Sequence, residues 1–247
     1  MRLTPAEARD LHALLSGLFV EDARHGTNPY LAEHGQDAAV RQHVNTFCWY
    51  ARHLPDAGAF LDWGCHYGPD ACLLRRTFGD AVDLHACDFF PESSFPAFRG
   101  FARARYEQLK ETARLPYGDN TFDAVIGAGV LEHTAMDYEA LKEVYRVLRP
   151  DGVVVITHLP YYLSWSEWYR RRVRRADFHW RLYGRGELSQ LLKRTGFRPV
   201  DMRFHTFIPN VLGAGLLTTL KAALSRLLSP PWRHSTLCCV ARKVAMM

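Results

Sequence analysis

A doubly wound α/β fold, with a mostly parallel seven-stranded sheet and an N-terminal helical cap, is predicted by three features of the 247-residue sequence. Seven short runs carry the apolar or alternating pattern of strands, amphipathic helical stretches alternate with several of them, and Gly, Pro, Asp and Asn punctuate the joints. Strands that alternate with helices imply right-handed crossovers and parallel neighbours. Hydrophobic residues at 48% and charged residues at 23% sit near globular averages, which excludes disordered and fibrous classes.

Residues 4 to 20 and 36 to 54 read as helices on either side of the Gly26-Thr27-Asn28-Pro29 break, so residues 1–54 are expected to form the cap. The rest, 55–247, is expected to be one domain with insertions at about 160–184 and 207–232. "GAFLDWG" after Pro55 reads as a buried strand feeding the helix "DACLLRRTF", and "VDLHACD" as a second strand that stops at Asp88. Pro91 and Pro96 shorten the next helix, and residues 104 to 109 supply a third strand. The loop "YGDNTFD" leads into "FDAVIGAG", a continuous apolar strand suited to burial on both faces. Leu141, Val144, Tyr145 and Leu148 mark the clearest helix, which Pro150 and Gly152 are expected to end before the strand "VVVITH". "FRPVDMRF" and "TLCCVARKV" complete the seven.

In an open parallel sheet a ligand lies beyond the carboxyl ends of the strands, so the strand-end residues bear the chemistry. Gly64 and Gly68 in "LDWGCHYG" allow a tight turn and close backbone approach, and Asp88 is placed to accept hydrogen bonds from both hydroxyls of a ribose. Together they indicate a nucleoside-like ligand. Dinucleotide enzymes use similar parts, but the loop is G-x-x-x-G, with His66 where bare backbone would be needed against a pyrophosphate. A ligand without phosphates fits better. Alone, Asp88 would read as a solvated strand end.

The run "ETARLPYGDNTFDAVIGAGVLEH", followed by "ALKEVYRVLRPDGVVVIT", resembles the class I S-adenosylmethionine-dependent methyltransferases of the type 11 group. The resemblance covers roughly residues 57 to 160 and, more loosely, "GRGELSQLLKRTGF" and the last strand. It implies a Rossmann-like methyltransferase fold and S-adenosylmethionine as cofactor. Asp62, Gly64, Cys65 and Gly68 would hold its methionine part, Asp88 its ribose and Phe89 a face of its adenine. Glu111 and Thr112 would frame the adenine edge, where the group more usually carries Asp-Ala.

The sulfonium methyl is electrophilic, so the protein must align a nucleophile and manage its proton. His133 in "LEH" is the first candidate base and His158 after the fifth strand the second; a helix-capping role is the plain alternative for His133. Trp165, Trp168 and Arg171 lie in an aromatic and arginine-rich stretch, residues 165–175, where the group inserts substrate-binding elements. They are candidate acceptor contacts, against the alternative of a solvated helix face. Leu216, Leu217, Leu220, Leu224, Leu227 and Leu228 make a stripe interrupted by Lys221 and Arg226, too broken to span a bilayer. It reads as a pocket wall or dimer face, with peripheral membrane contact as the alternative.

The six cysteines form no CxxC pair, so neither a disulfide framework nor a zinc site is expected, and no metal is assigned. The N-terminus lacks a secretory pattern, which places the chain in the cytoplasm. The net charge of +5 suits an anionic partner but is concentrated in the arginine run. The Asn/Asp-Pro-Pro-Tyr signature of amino-methylating nucleic-acid enzymes is absent after the fourth strand. The expected activity is therefore methyl transfer to oxygen, ahead of nitrogen, of a small metabolite, sugar or lipid-linked glycan. Two readings compete with it: a nicotinamide-dependent oxidoreductase, and a non-catalytic basic, aromatic module that binds anionic membrane or nucleic acid.

Overall fold

The structure, a computed structural model, describes residues 2–25, 29–111, 114–172, 179, 181–205 and 236–245. Helices α1 (Pro5–Ala23), α2 (Pro29–His34) and α3 (Asp37–Tyr50) precede the sheet. Thr4 and Glu7 form a reciprocal capping box that starts α1. There follow β1 (Gly58–Trp63), α4 (Pro69–Phe78), β2 (Val82–Asp88), α5 (Pro96–Ala102), β3 (Arg105–Gln108) and β4 (Phe122–Ala128). The chain continues through α6 (Asp137–Val147), β5 (Leu148–Pro160), α7 (Trp165–Arg172), α8 (Arg185–Arg194), β6 (Phe197–His205) and β7 (Thr236–Lys243).

The strand order is β3-β2-β1-β4-β5-β7-β6, parallel through β5, with β7 antiparallel between β5 and β6. The order reverses beside β1, so the carboxyl ends of β1, β2 and β4 bound one crevice. Alternate residues divide the core between two faces. Phe60, Leu84, Ile126, Val155 and Val240 pack with α1, α3, α4 and α5, while Leu61, Cys87, Val125, Ile156 and Cys239 pack with α6 and α8. The N-terminal helices thus share a core with one sheet face.

Helix α2 is not expected from the sequence, α1 runs on to Ala23 and α3 stops at Tyr50, and the start of β5 differs most in its consequences. The strand begins at Leu148, not Val153, and the helix ends before Pro150. Proline disfavours helical backbone at the residue before it, and Leu148 pairs with Phe122 ahead of a bulge, so these residues join the sheet. Arg146 steadies the preceding loop, donating to the carbonyls of Leu115 (3.1 Å) and Tyr117 (2.8 Å) and pairing with Asp119 and Glu143. Asp123 is likewise bound at the start of β4, accepting from Ala59 N at 2.8 Å and from Arg149.

The cap is tied to the far sheet edge by Asp201 of β6, which accepts from Trp49 Nε1 at 2.9 Å and Arg52 Nη2 at 2.7 Å and pairs with His53. Burial works to raise the Asp201 pKa, but these donors outweigh it and hold the carboxyl below its ordinary value. Its contribution is therefore complete above the unfolded value of about 3.9 and is lost as pH falls through the folded value. Asp201→Asn should cost about 1–3 kcal/mol in urea unfolding at pH 7. The gap from wild type should stay level between pH 5 and 8 and narrow below about pH 4; a gap that narrows instead toward pH 8 would contradict the assignment.

Candidate functional site

The crevice is formed by loops that glycine makes possible. Gly64 has φ +65°, and a Cβ there would lie 2.5 Å from Cγ2 of Val130, so the loops after β1 and β4 pass in contact only because the side chain is absent. The amides of Gly64 and Cys65 both donate to the Cys87 carbonyl, at 2.9 and 3.1 Å. Gly68, at φ +88°, caps α4 with Pro69 in its first turn, and open space surrounds the place a Cβ would take.

Asp88 joins this loop to the tip of β2. Its carboxylate accepts from His66 N at 2.7 Å, Phe89 N at 2.6 Å and Phe90 N at 3.3 Å, and it is largely buried. Phe89 and Phe90 are nearly half exposed beside it, an apolar surface at the strand end. His66 adopts φ +43°, and its ring packs edge-on to Phe90 at 4.6 Å and against Phe95 at 5.2 Å. That imidazole stands in the loop where a phosphate cradle would need bare backbone. Arg99 braces the loop from α5, donating to His66 O at 2.8 Å and Cys65 Sγ at 3.1 Å and lying over the Tyr106 ring.

Asp62 is buried and its Oδ2 accepts from Ala71 N at 3.0 Å, which ties β1 to the first turn of α4. Burial raises its pKa well above the ordinary range, and neighbouring Asp70 adds to the effect. Asp70 itself is held below its ordinary value: burial would raise it, but His43 (2.9 Å) and Tyr50, which donates to Oδ1, prevail. Ionisation is thus disfavoured at Asp62 and favoured at Asp70. His158 stacks on His43 at 5.3 Å and its Nδ1 lies 3.0 Å from Thr157 Oγ1. Burial, assisted by His43, pushes its pKa down to about 3, so the ring is neutral.

His133 is exposed in the turn after β4, and its ring lies 5.3 Å from that of His179. Glu132 beside it is buried, and burial pushes its pKa up to about 8. His179 Nδ1 meets Glu167 Oε2 of α7 at 3.3 Å, and Arg171 Nη2 donates to the His179 carbonyl at 2.9 Å. Trp165 opens α7 and Trp168 is about half exposed on it. Glu111 is exposed beyond β3. Thr112, Arg174 and Arg175 and the leucine stripe of 211–228 lie outside the described residues.

The structure thus brings together Asp62, Gly64, Cys65, Gly68, Asp88 and Phe89 around the crevice and places His133 after β4, whereas His158 lies within β5, not after it, at the irregularity between Ile156 and Leu159 where the strand continues to Pro160. Sequence reasoning missed His43, Tyr50, Asp70, Arg99, Glu132 and His179. The one available signal was position: Asp70 follows the glycine loop directly, and Glu132 adjoins the histidine that was singled out.

Residues 61–156 match a family model described as a methyltransferase domain. The chain is 34% identical over 99 residues to the ubiquinone/menaquinone biosynthesis C-methyltransferase UbiE of Desulfotalea psychrophila, covering 40% of each chain. It is 31% identical over 149 residues to a protein of Mycolicibacterium smegmatis named as an S-adenosylmethionine-dependent methyltransferase, covering 57% of this chain and 52% of that one. It therefore spans about half or less of the length of these curated relatives. Among solved structures, the Burkholderia thailandensis 1,6-didemethyltoxoflavin-N1-methyltransferase, with its substrate and S-adenosylhomocysteine bound, shares the fold. That match has a TM-score of 0.57 at 19% identity over 99% of this chain and 92% of that one. No described helix is long and apolar enough to cross a membrane. With the glycine-bounded crevice, the acidic tip of β2 and the seven-strand order already in place, residues 61–156 are similar to a methyltransferase domain, and the fold is the one shared with solved S-adenosylmethionine-dependent methyltransferases.

Proposed function

We propose that the chain transfers a methyl group from S-adenosylmethionine to an oxygen of a small-molecule acceptor. The observation that carries this reading is the Asp88 carboxylate, fixed by the His66 and Phe89 amides beside the Gly64 bend. A carboxylate has about four lone-pair positions and the amides engage only part of that capacity, so Asp88 has oxygen acceptors to offer ribose hydroxyls. Gly64, Cys65 and Gly68 would receive the methionine part, with Asp62 fixing the helix start behind them. Phe89 would cover the adenine, with Glu111 and Thr112 toward its edge. The cofactor, when bound, supplies an electrophilic methyl on sulfonium sulfur.

The protein's own task is alignment and proton handling. His133 follows β4, and His158 lies in the last residues of the neighbouring strand β5. His158 is enclosed and held neutral, suited to accepting a hydrogen bond from an acceptor hydroxyl and poorly suited to retaining a proton. His133, exposed to solvent, is the first candidate to take the proton on. Trp165, Trp168 and Arg171 of α7 would border the acceptor, and the arginine favours an acceptor with anionic character, as in phosphorylated or lipid-linked sugars. The relatives include proteins named as C- and N-methyltransferases, so the choice of oxygen rests on the two histidines alone.

Calorimetry should detect S-adenosylhomocysteine binding to the wild type, and Asp88→Asn should weaken it by about 10–100-fold, the loss of charged hydrogen bonds. No heat with either form of the cofactor, or unchanged affinity in the variant, would overturn the reading. Labelled methyl donor incubated with fractionated cell extract should yield a product whose label resides on oxygen; label on carbon or nitrogen would refute that choice. Gly64→Ala faces both left-handed backbone, about 1–2 kcal/mol, and the Val130 contact, so thermal unfolding should shift down by roughly 2–8 °C. Adding Val130→Ala should recover part of that shift, and failure to recover any would assign the loss to the backbone alone.

A further inference from the structure

We propose that Glu132, His133 and His179 form a binding site for one divalent transition-metal cation of the zinc class, on the acceptor side of the crevice. The functional identity of the site rests on the methyl-transfer reading; the existence of the site does not. One carboxylate oxygen and two imidazole nitrogens, one from each residue, all lie within 4.8 Å of one another. Ligand atoms at about 2.0–2.2 Å from a tetrahedral ion stand roughly 3.4 Å apart. Closing that difference requires only side-chain rotation, for which the exposed His133 has room.

A second observation points to a ligand there. Glu132 is 2% exposed, yet its Oε2 has no hydrogen-bond partner among the described residues. An unsatisfied buried carboxyl oxygen is costly, and a cation would offset that cost. His179 is oriented as a metal ligand commonly is: Nδ1 faces Glu167 Oε2 at 3.3 Å, which leaves Nε2 for the ion. Glu167 is itself buried, and Arg171 fixes the His179 backbone.

The donor set selects the class of ion. Two imidazoles and one carboxylate suit zinc-like cations and leave a coordination position open, whereas magnesium prefers oxygen ligands and water. An acceptor hydroxyl in the open position would lose its proton to solvent more readily. Its oxygen lone pair would form the new bond to the methyl carbon while the carbon–sulfur bond breaks and sulfur keeps that pair as a thioether. His133 would then act as a ligand, and the cation would take over the proton-handling role proposed for it.

Full-length protein stripped with chelator would be titrated with Zn²⁺ by calorimetry and with Co²⁺ by visible absorption, alongside Glu132→Gln, His133→Ala and His179→Ala. One saturable equivalent, ligand-field bands from Co²⁺, and a loss of affinity of at least about 10-fold in each variant are expected. S-adenosylhomocysteine binding, measured in parallel, reports that each variant is folded. Absence of saturable binding to the wild type, unchanged affinity in the variants, or binding of Mg²⁺ in preference to Zn²⁺ would overturn the site. Metal binding that fails while S-adenosylhomocysteine still binds removes this proposal alone; loss of S-adenosylhomocysteine binding by the wild type removes the methyl-transfer reading instead.

Discussion

The crevice depends on one carboxylate holding two loops. Asp88 accepts amides from both the β1 loop and the chain leaving β2, and in doing so keeps His66 in a left-handed conformation that a non-glycine residue adopts only at a cost. A charge-assisted hydrogen bond of 2.7 Å is of the size needed to offset that strain. The Cys87 carbonyl receives the next two amides of the same loop, so the turn is fixed at both ends from β2. Arg99 closes the outside. The shape of the crevice is therefore a property of the β1–β2 pair, and helices α4 and α5 serve to hold that pair in place.

A second polar layer lies between the cap and the sheet, and its logic is a division of protons. Asp62 and Asp70 are too close and too buried for both to carry charge comfortably. Ionisation is favoured at Asp70 because His43 and Tyr50 reach it from α3, while Asp62 has one amide donor from α4. The cap is thus positioned by a charged hydrogen-bonded group as well as by apolar packing. Burial also strips His158 of its proton affinity, which leaves a neutral imidazole between the cap and the end of β5. His133, in the turn after β4, is exposed, so the two histidines sit in different environments.

The parts of this arrangement that were legible in sequence are those encoded by local pattern. Strand ends, the glycine turn and Asp88 follow from alternation, left-handed glycine and the rule that ligands sit at carboxyl ends. The start of β5 did not, because pairing of Leu148 with Phe122 is a tertiary choice that overrides the punctuation of Pro150 and Gly152. Asp70 and His43 are 27 residues apart, and His179 is 46 residues beyond His133; no periodicity links such pairs. His133 was singled out for its place after β4, whereas its surroundings could come only from the path that returns the chain past α7.

That path changes what the Glu132–His133 turn can mean. A lone histidine at a strand end supports a base, and a histidine beside a buried carboxyl oxygen with no hydrogen-bond partner among the described residues supports something that supplies positive charge. His179 is held by Glu167 and Arg171 of α7, the helix that also carries Trp168. Binding an ion there would draw α7 toward β4, and an acceptor bordered by α7 would meet the ion at the same edge. Acceptor selection and activation of its oxygen would then be mechanically coupled, which a freely placed base would not require.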